Sequence, residues 1–450
     1  MRPLLLSLVA AASLSAQAAP SDSAVRAVIR ERVDAGRFAG IAVGFVSRDN
    51  QRRVIAYGPG AGVQPFDGNT VFEIGSITKT FTASILADMV KKGEVALDDP
   101  VAKYLPPGTV IPERDGKKIT LLDLATQSSG LPGMPDNFKS KDKANPYADY
   151  TVAQMYEFLG RYKLPRGIGE KYEYSNLGVG LLGQALSQRA GRDYEAVVTD
   201  RVLKPLGMKD TRITLTKSMQ SRLAPGHAID GTPAKNWDLP TFAGAGALRS
   251  TVSDMLTYVR ANADSASKPL GATLAMTHGM RRPVSPVMTI GLAWHRLKTP
   301  AGRTIVWHNG GTGGYRTFAG YDEASGQSIV VLSNTAQSVD DIGFHLLDAS
   351  VPLLPLPKVR KEVPLPAEIL EKYVGTFELA PKFALVITRE GAQLYAQATD
   401  QPRFPLFAEA DGEFFLKVVD AQVSFTKDST GIVTGLVLHQ NGFNSPGKRK

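Results

Sequence analysis

The chain has 450 residues, of which 43% are hydrophobic and 21% are charged, close to the average of globular proteins. This composition excludes a disordered tail protein, a collagen and a coiled coil, and the length predicts two or three domains of about 100–200 residues. The net charge of +9 is spread along the chain apart from a short basic end at 448–450, so we expect no nucleic-acid partner.

The cysteine and histidine content excludes several kinds of catalytic and metal site. The chain has no cysteine, which excludes disulfides, thiolate metal sites and a cysteine nucleophile. Its six histidines do not occur at the spacing of a metal-binding helix. We therefore expect no His-rich metal centre.

Residues 1–18 have the pattern of a cleavable signal peptide. Arg2 gives a short positive region, an apolar run extends from Leu4 to Leu14, and Ala16-Gln17-Ala18 matches a cleavage site. The apolar run is too short to cross a membrane, which takes about 20 residues. The sequence predicts a periplasmic or secreted protein without a membrane span; the alternative is an N-terminal core helix.

Strands are predicted near both ends of a first domain at 19–351. A helix at 24–33 precedes strands at 40–47 and 53–57, and helices and loops dominate up to about residue 290. Strand character returns at 303–308, 316–321 and 328–333, before a closing helix at 342–354. Strands at both ends favour an α+β domain with one antiparallel sheet flanked by helices.

A proline-rich linker is predicted at 352–366, followed by a small second domain at 367–450. The linker has five prolines in fifteen residues and should be extended and stiff. After it, seven short strand-like runs alternate with polar or glycine turns, beginning at 373 and ending at 439. This pattern is typical of a small antiparallel β-barrel.

The first chemical motif is FEIGSITK, at 72–79. S-x-x-K occurs five times, but only Ser76 precedes a long apolar helical pattern. Residues three apart share a helix face, so Lys79 should lie beside Ser76. A serine hydroxyl needs a neighbouring base, and a buried lysine with a lowered pKa can act as one. The alternative is an ordinary helix start with a surface lysine.

Two further motifs follow in the sequence. Tyr174-Ser175-Asn176 combines a phenol, which can transfer a proton if nearby ammonium groups lower its pKa, with an amide suited to holding a substrate. His308-Asn309-Gly310 ends a predicted edge strand and enters a glycine-rich turn, where backbone can approach a ligand. Taken singly, Tyr174-Ser175-Asn176 is better explained by a helix cap that follows a core tyrosine, and His308-Asn309-Gly310 is equally well explained by a hairpin turn with a surface histidine.

The order and spacing of the three motifs resemble those of the penicillin-recognising serine hydrolases, which include class C β-lactamases, DD-peptidases and D-aminopeptidases. Stretches at 121–131, 244–255 and 291–294 are also similar to this family, so the resemblance covers about residues 22–350. The second domain resembles the lipocalin-like domain of some family peptidases.

The resemblance implies a role for each motif residue. Ser76 would be the acylated nucleophile, Lys79 would help to remove its proton, and Tyr174 would carry that proton to the leaving group. The backbone N–H groups of Ser76 and Gly311 would form the oxyanion hole. Substrate would be bound by Asn176, His308, Gly310 and Gly311. His308 would polarise Tyr174 or contact a substrate carboxylate. The resemblance implies neither a metal nor a cofactor.

One position departs from class C β-lactamases, which carry lysine where this chain has His308. The only lysine match, Lys91-Lys92-Gly93, lies at the end of the helix that follows Ser76. An unperturbed imidazole titrates near ~6.5, so we expect His308 to be partly charged at neutral pH and to attract a β-lactam carboxylate weakly.

The sequence therefore predicts an exported serine hydrolase for D-amino-acid-containing peptides or peptidoglycan fragments. The alternatives are a class C-type β-lactamase, a carboxylesterase of the same superfamily, and a penicillin-binding protein that is acylated without turnover. The expected partner is a small-molecule or peptide substrate, with binding to the cell wall and the oligomeric state left open.

Overall fold

The computed structural model describes residues 20–58, 65–264, 266, 269–356, 360–381, 383–399, 401–417, 421–440 and 443–450. The predicted signal peptide lies outside these residues. The chain divides into two compact units between Leu354 and Pro355. No helix in the described ranges is both long and apolar enough to cross a membrane.

The first unit combines short and long helices. They are α1 (Asp22–Asp34), α2 (Thr78–Lys91), α3 (Leu121–Ala125), α4 (Val152–Arg161), α5 (Asn176–Ala190), α6 (Tyr194–Val198), α7 (Lys204–Leu206), α8 (Lys217–Gln220), α9 (Ala243–Gly246), α10 (Val252–Ala263), α11 (Gly271–His278) and α12 (Asp340–Leu347).

Its strands come from both ends of the unit. They are β1 (Ile41–Val46), β2 (Arg52–Tyr57), β3 (Val71–Glu73), β4 (Glu113–Arg114), β5 (Lys117–Lys118), β6 (Gly226–His227), β7 (Pro233–Ala234), β8 (Arg249–Thr251), β9 (Arg282–Ser285), β10 (Met288–Ile290), β11 (His295–Lys298), β12 (Thr304–Gly311), β13 (Arg316–Asp322) and β14 (Ser328–Ser333). Eight of them form one antiparallel sheet in the order β2-β1-β14-β13-β12-β11-β10-β9. The predicted α+β architecture is confirmed.

The sheet is covered on both faces because side chains alternate along its strands. In β1, Ala42 and Val46 join the larger core, which includes residues of α2, α5 and α10. Ile41, Val43 and Phe45 point the other way and pack with α1 and α12. Both faces of the central strands are therefore buried, and the sheet is a rigid base for the residues at its strand ends.

Two details of the first unit differ from the expectation. The closing helix ends at Leu347 rather than 354, because the Asp348 carboxylate accepts hydrogen bonds from Ser350 N and the Thr299 hydroxyl, which hold extended backbone there. Strands β3 to β11 were not predicted, since runs of two to four residues are too short to display alternation.

The second unit is a closed antiparallel barrel, as predicted. After α13 (Ala367–Glu371) come β15 (Gly375–Ala380), β16 (Phe383–Glu390), β17 (Gln393–Ala398), β18 (Arg403–Ala410), β19 (Glu413–Leu416), β20 (Ala421–Lys427), β21 (Val433–Gln440) and β22 (Phe443–Arg449). The last strand, β22, was missed because Pro446 and Gly447 interrupt its pattern; it pairs with β15 and closes the barrel. Part of the proline-rich segment packs on this unit, since Val363 N donates to Ala408 O over 2.9 Å.

Candidate active site

Ser76 lies where β3 leads into α2. The chain makes one 3-10 turn at Gly75–Ile77 before α2 begins at Thr78, so Ser76 precedes the helix by two residues. Ser76 is partly exposed, whereas its neighbours on both sides are buried. Its hydroxyl is therefore the accessible part of an otherwise buried segment.

The Lys79 side chain is fully buried and directed at Ser76. Its Nζ lies 2.9 Å from Ser76 Oγ, 2.7 Å from Asn176 Oδ1 and 2.7 Å from the Ala245 carbonyl oxygen. Burial lowers the pKa of Lys79 well below the usual 10.5. A neutral amine has two N–H donors and one lone pair. The two fixed acceptors, Asn176 and Ala245, take both donors, which leaves the lone pair for the Ser76 hydroxyl proton.

Tyr174 and Asn176 are held at the start of α5. Ser175 caps this helix by accepting a hydrogen bond from Gly178 N over 2.8 Å, and Ser175 N donates to Gln127 Oε1. The Tyr174 ring centre is 4.8 Å from Lys79 Nζ, and the residue is 36% exposed. Burial around its hydroxyl group raises the pKa of Tyr174, and an interaction with Ser76 opposes this rise. The expectation of a lowered pKa is therefore wrong, and the phenol keeps its proton.

The backbone at the end of β12 lies directly against the turn that carries Ser76. A β carbon on Gly75, which has φ +51°, would be 2.7 Å from Gly311 N, and one on Gly310 would be 2.0 Å from Ile74 O. The Thr317 hydroxyl also donates to Ile74 O, over 3.0 Å. Glycine at these positions lets the two segments that carry the predicted oxyanion-hole N–H groups touch each other.

His308 lies inside the sheet and is uncharged. β12 runs between β11 and β13, so it is not the expected edge strand, and it continues through Gly311 rather than ending at 308. The His308 side chain is 1% exposed, and its Nδ1 lies 2.6 Å from Asn309 O, to which it donates. Burial lowers the pKa of His308 well below 6.5, and nearby His295 and Lys79 act in the same direction. The expectation of a partly charged imidazole at neutral pH is wrong.

Three residues near Ser76 were not singled out from the sequence. Ala245 supplies a carbonyl to Lys79, and Gln127, with φ +58°, holds the segment before α5. Both lie in stretches that carried the family resemblance, so the signal was present without a role attached. Glu73 is buried beside the Ser76 turn; it lies within the FEIGSITK motif, where no role was assigned to it.

The competing motif matches lie elsewhere. Ser140 is in a loop, Ser424 and Ser445 are in the barrel, and Ser265 falls outside the described residues. Lys91-Lys92-Gly93 is at the far end of α2. Within the described part of the chain, no group of three or more His, Asp and Glu side chains could hold a metal ion.

Comparisons with known proteins identify the family of this chain. Residues 25–349 match the family model described as Beta-lactamase, and residues 359–445 match a domain of unknown function, DUF3471. The D-alanyl-D-alanine-carboxypeptidase/endopeptidase AmpH of Escherichia coli (strain K12) is 32% identical over 288 residues, which are 60% of this chain and 72% of that protein. A beta-lactamase of Pseudomonas fluorescens is 29% identical over 303 residues, 60% of this chain and 81% of that protein.

A solved structure gives the same result for the fold. The beta-lactamase/D-alanine carboxypeptidase from Yersinia pestis, complexed with citrate, is 25% identical and aligns with a TM-score of 0.61. The alignment covers 74% of this chain and 100% of that one. The family match extends over more than half of the chain, and the chain therefore belongs to the beta-lactamase family of serine hydrolases.

Proposed function

We propose that this hydrolase forms an acyl-enzyme on Ser76 and cleaves D-amino-acid-containing peptides or peptidoglycan fragments outside the cytoplasm. The observation that carries the proposal is the environment of Lys79 Nζ, with two acceptors for its protons and Ser76 Oγ at 2.9 Å. A lysine held in this way is a base rather than a cation.

The first half of the reaction follows from these contacts. Lys79 accepts the proton of Ser76 Oγ as the oxygen bonds to the substrate carbonyl carbon. The resulting oxyanion accepts hydrogen bonds from the N–H groups of Ser76 and Gly311. Tyr174, whose raised pKa keeps it protonated, gives its proton to the leaving amine and is reprotonated by Lys79.

The second half reverses these transfers. Water attacks the acyl carbon and passes a proton through Tyr174 to Lys79, which is neutral again at this stage, and Ser76 Oγ recovers that proton from Lys79 as it leaves. Asn176 Oδ1 is occupied by Lys79, so the amide Nδ2 of Asn176 remains to donate to a substrate carbonyl. Because Tyr174 supports deacylation, turnover is favoured over a penicillin-binding protein that stays acylated.

Charge bears on the substrate class. His308 is neutral, so it offers no fixed positive charge to a substrate carboxylate; penicillins and cephalosporins have such a carboxylate, whereas a peptide bond inside a chain and a D-amino-acid anilide do not. The relative from Escherichia coli is named as a carboxypeptidase and endopeptidase. The second candidate is β-lactam hydrolysis, which is supported by the Pseudomonas fluorescens relative. Ester hydrolysis by the same residues is the third.

A substrate panel separates these activities. Turnover would be measured on a D-Ala-D-Ala peptide, D-Ala-p-nitroanilide, nitrocefin and p-nitrophenyl butyrate, with wild type, Ser76→Ala and Ser140→Ala. Ser140 begins another S-x-x-K stretch, so it controls for serine removal at the same spacing. We expect D-Ala-p-nitroanilide, which has no carboxylate, to be turned over faster than nitrocefin, Ser76→Ala to be inactive and Ser140→Ala to be unchanged. A wild type with much higher nitrocefin turnover would favour the β-lactamase alternative.

Export is part of the proposal and has its own test. The mature protein recovered outside the cytoplasm should begin at Ala19, as determined by mass spectrometry of its N-terminal peptide. An uncleaved chain that begins at residue 1 would contradict the export prediction.

A further inference from the structure

Glu73 is a buried carboxylate three residues before Ser76, and the reaction described above does not use it. The residue is 3% exposed. Its Oε1 accepts hydrogen bonds from Trp237 N over 2.9 Å and from Arg249 Nη2 over 3.2 Å. Arg249 lies opposite Glu73 in the β3–β8 pair and also donates to the carbonyl oxygens of Ile213 and Trp237. Glu73 Oε1 thus connects β3, which carries it, with β8 and with the segment that contains Trp237.

Glu73 is also connected to the glycine-rich turn after β12. Trp237, whose backbone N–H donates to Glu73, packs its indole ring against that turn, since a β carbon on Gly313 would be 2.6 Å from Trp237 Nε1. In the described residues, Glu73 Oε2 and Thr312 Oγ1 are both buried without a hydrogen-bond partner of good geometry. Burial raises the pKa of Glu73, and Arg249 and the Thr312 hydroxyl oppose this rise. The carboxylate and the hydroxyl are therefore neighbours, and Thr312 directly follows Gly311.

We propose that Glu73 is a positioning residue that holds the two oxyanion-hole N–H groups in register, by linking the strand that leads to Ser76 with the turn that follows Gly311. The inference rests on the proposed function, because it assumes that an oxyanion forms between Ser76 and Gly311. Glu73 lies on β3, which leads to Ser76, and Thr312 directly follows Gly311.

The expected effect is large because oxyanion-hole donors act only when they are well placed. Removing one such donor lowers kcat by about 10²–10³, and a misplacement of about 1 Å can cost about 10². Glu73→Gln keeps the shape of the side chain and removes the charge that holds Arg249. We expect kcat to fall by about 10–100-fold with KM changed by less than about threefold, since ground-state binding does not use the oxyanion.

Asp322→Asn is a matched control. Asp322 is also a fully buried carboxylate, paired with Arg303 over 2.6 Å, and its Oδ1 also lacks a partner in the described residues. It lies at the other end of β13 from Arg316, roughly 20 Å away at about 3.3 Å per residue. This variant should lose a similar amount of thermal stability while kcat stays within about twofold of wild type.

Affinity for a phenylboronic acid distinguishes positioning from general loosening. Its tetrahedral adduct with Ser76 presents an oxygen to the same N–H groups, so its Kd should rise in Glu73→Gln by about the factor lost from kcat. Thr312→Val, which keeps the shape and removes the hydroxyl, should lower kcat and boronate affinity in the same direction with little change in melting temperature. This second variant keeps the test decisive if Glu73→Gln does not fold.

The outcomes are distinct. Unchanged kcat and boronate affinity in both variants, or equal kcat losses in Glu73→Gln and Asp322→Asn, would overturn the positioning role. An active Ser76→Ala protein would instead overturn the proposed function, whatever the Glu73 variants do.

Discussion

Replacing Lys79 is the most informative perturbation of the proposed mechanism. Lys79→Met removes the amine, so Ser76 Oγ loses a partner at 2.9 Å, and Asn176 Oδ1 and Ala245 O each lose one at 2.7 Å. A positioned proton acceptor contributes about 10²–10⁴ in rate, which is about 2.7–5.5 kcal/mol at about 1.36 kcal/mol per factor of ten. We expect kcat/KM for p-nitrophenyl butyrate to fall by this factor.

Lys79→Arg separates a base from a fixed charge. Arginine stays protonated at every accessible pH and cannot accept a proton, although it keeps positive charge and donors. If Lys79 acts as a base, both variants should lose at least about 10² in kcat/KM and in the rate of fluorophosphonate labelling at Ser76. Folding would be checked by tryptophan fluorescence. A folded Lys79→Arg protein within tenfold of wild type would refute the neutral-amine reasoning.

Three further predictions concern charge, stability and domain structure. Because the pKa of His308 lies well below 6.5, the kcat/KM of the wild type for nitrocefin should not fall as pH rises from about 6 to about 7. His308→Lys should raise this kcat/KM by up to about tenfold. A fall in the wild-type kcat/KM over that pH range would contradict a neutral His308. Burial lowers the pKa of His278 to about 3 and that of His295 to about 4, so the unfolded state binds more protons below pH 6.5. Urea unfolding would be followed by tryptophan fluorescence, which reports the first unit alone because all three tryptophans lie in it. The free energy of unfolding should fall from about pH 6.5 towards about pH 4, by up to about 1.4 kcal/mol per pH unit for each histidine. An equal free energy of unfolding at both ends of that range would contradict this prediction. A chain of residues 19–354 should stay folded and keep its activity on a small ester within about threefold, and insolubility of that fragment would show that the barrel completes the core.

Much of the fold could be predicted because its main elements are long enough to show a clear sequence pattern. The apolar runs of β1 and β14, the helical spacing after Ser76 and the proline-rich segment each extend over enough residues to be recognised. Short strands could not be predicted: β9, β10 and β11 have three or four residues each, and their conformation depends on pairing with one another and, through β11, with β12. Glycines at 310 and 311 indicated a turn, yet β12 continues through them because both residues pair with β13.

The candidate site, like the fold, could be predicted from the sequence only in part. Local spacing was sufficient to predict that Lys79 lies beside Ser76, because both residues are on one helical segment. The ionisation of His308 and Tyr174 could not be predicted, since it depends on burial by chain segments distant in sequence. The Lys79–Ala245 contact spans 166 positions, and no local pattern records it.

Covalent trapping tests the central claim most directly. The protein would be mixed with a fluorophosphonate and with a slowly released β-lactam, quenched in acid, digested and mapped by tandem mass spectrometry. We predict a single adduct on the peptide that contains Ser76, and no added mass on the Ser76→Ala protein. An adduct on a different serine, or equal labelling of the Ser76→Ala protein, would contradict the assignment of Ser76 as the nucleophile.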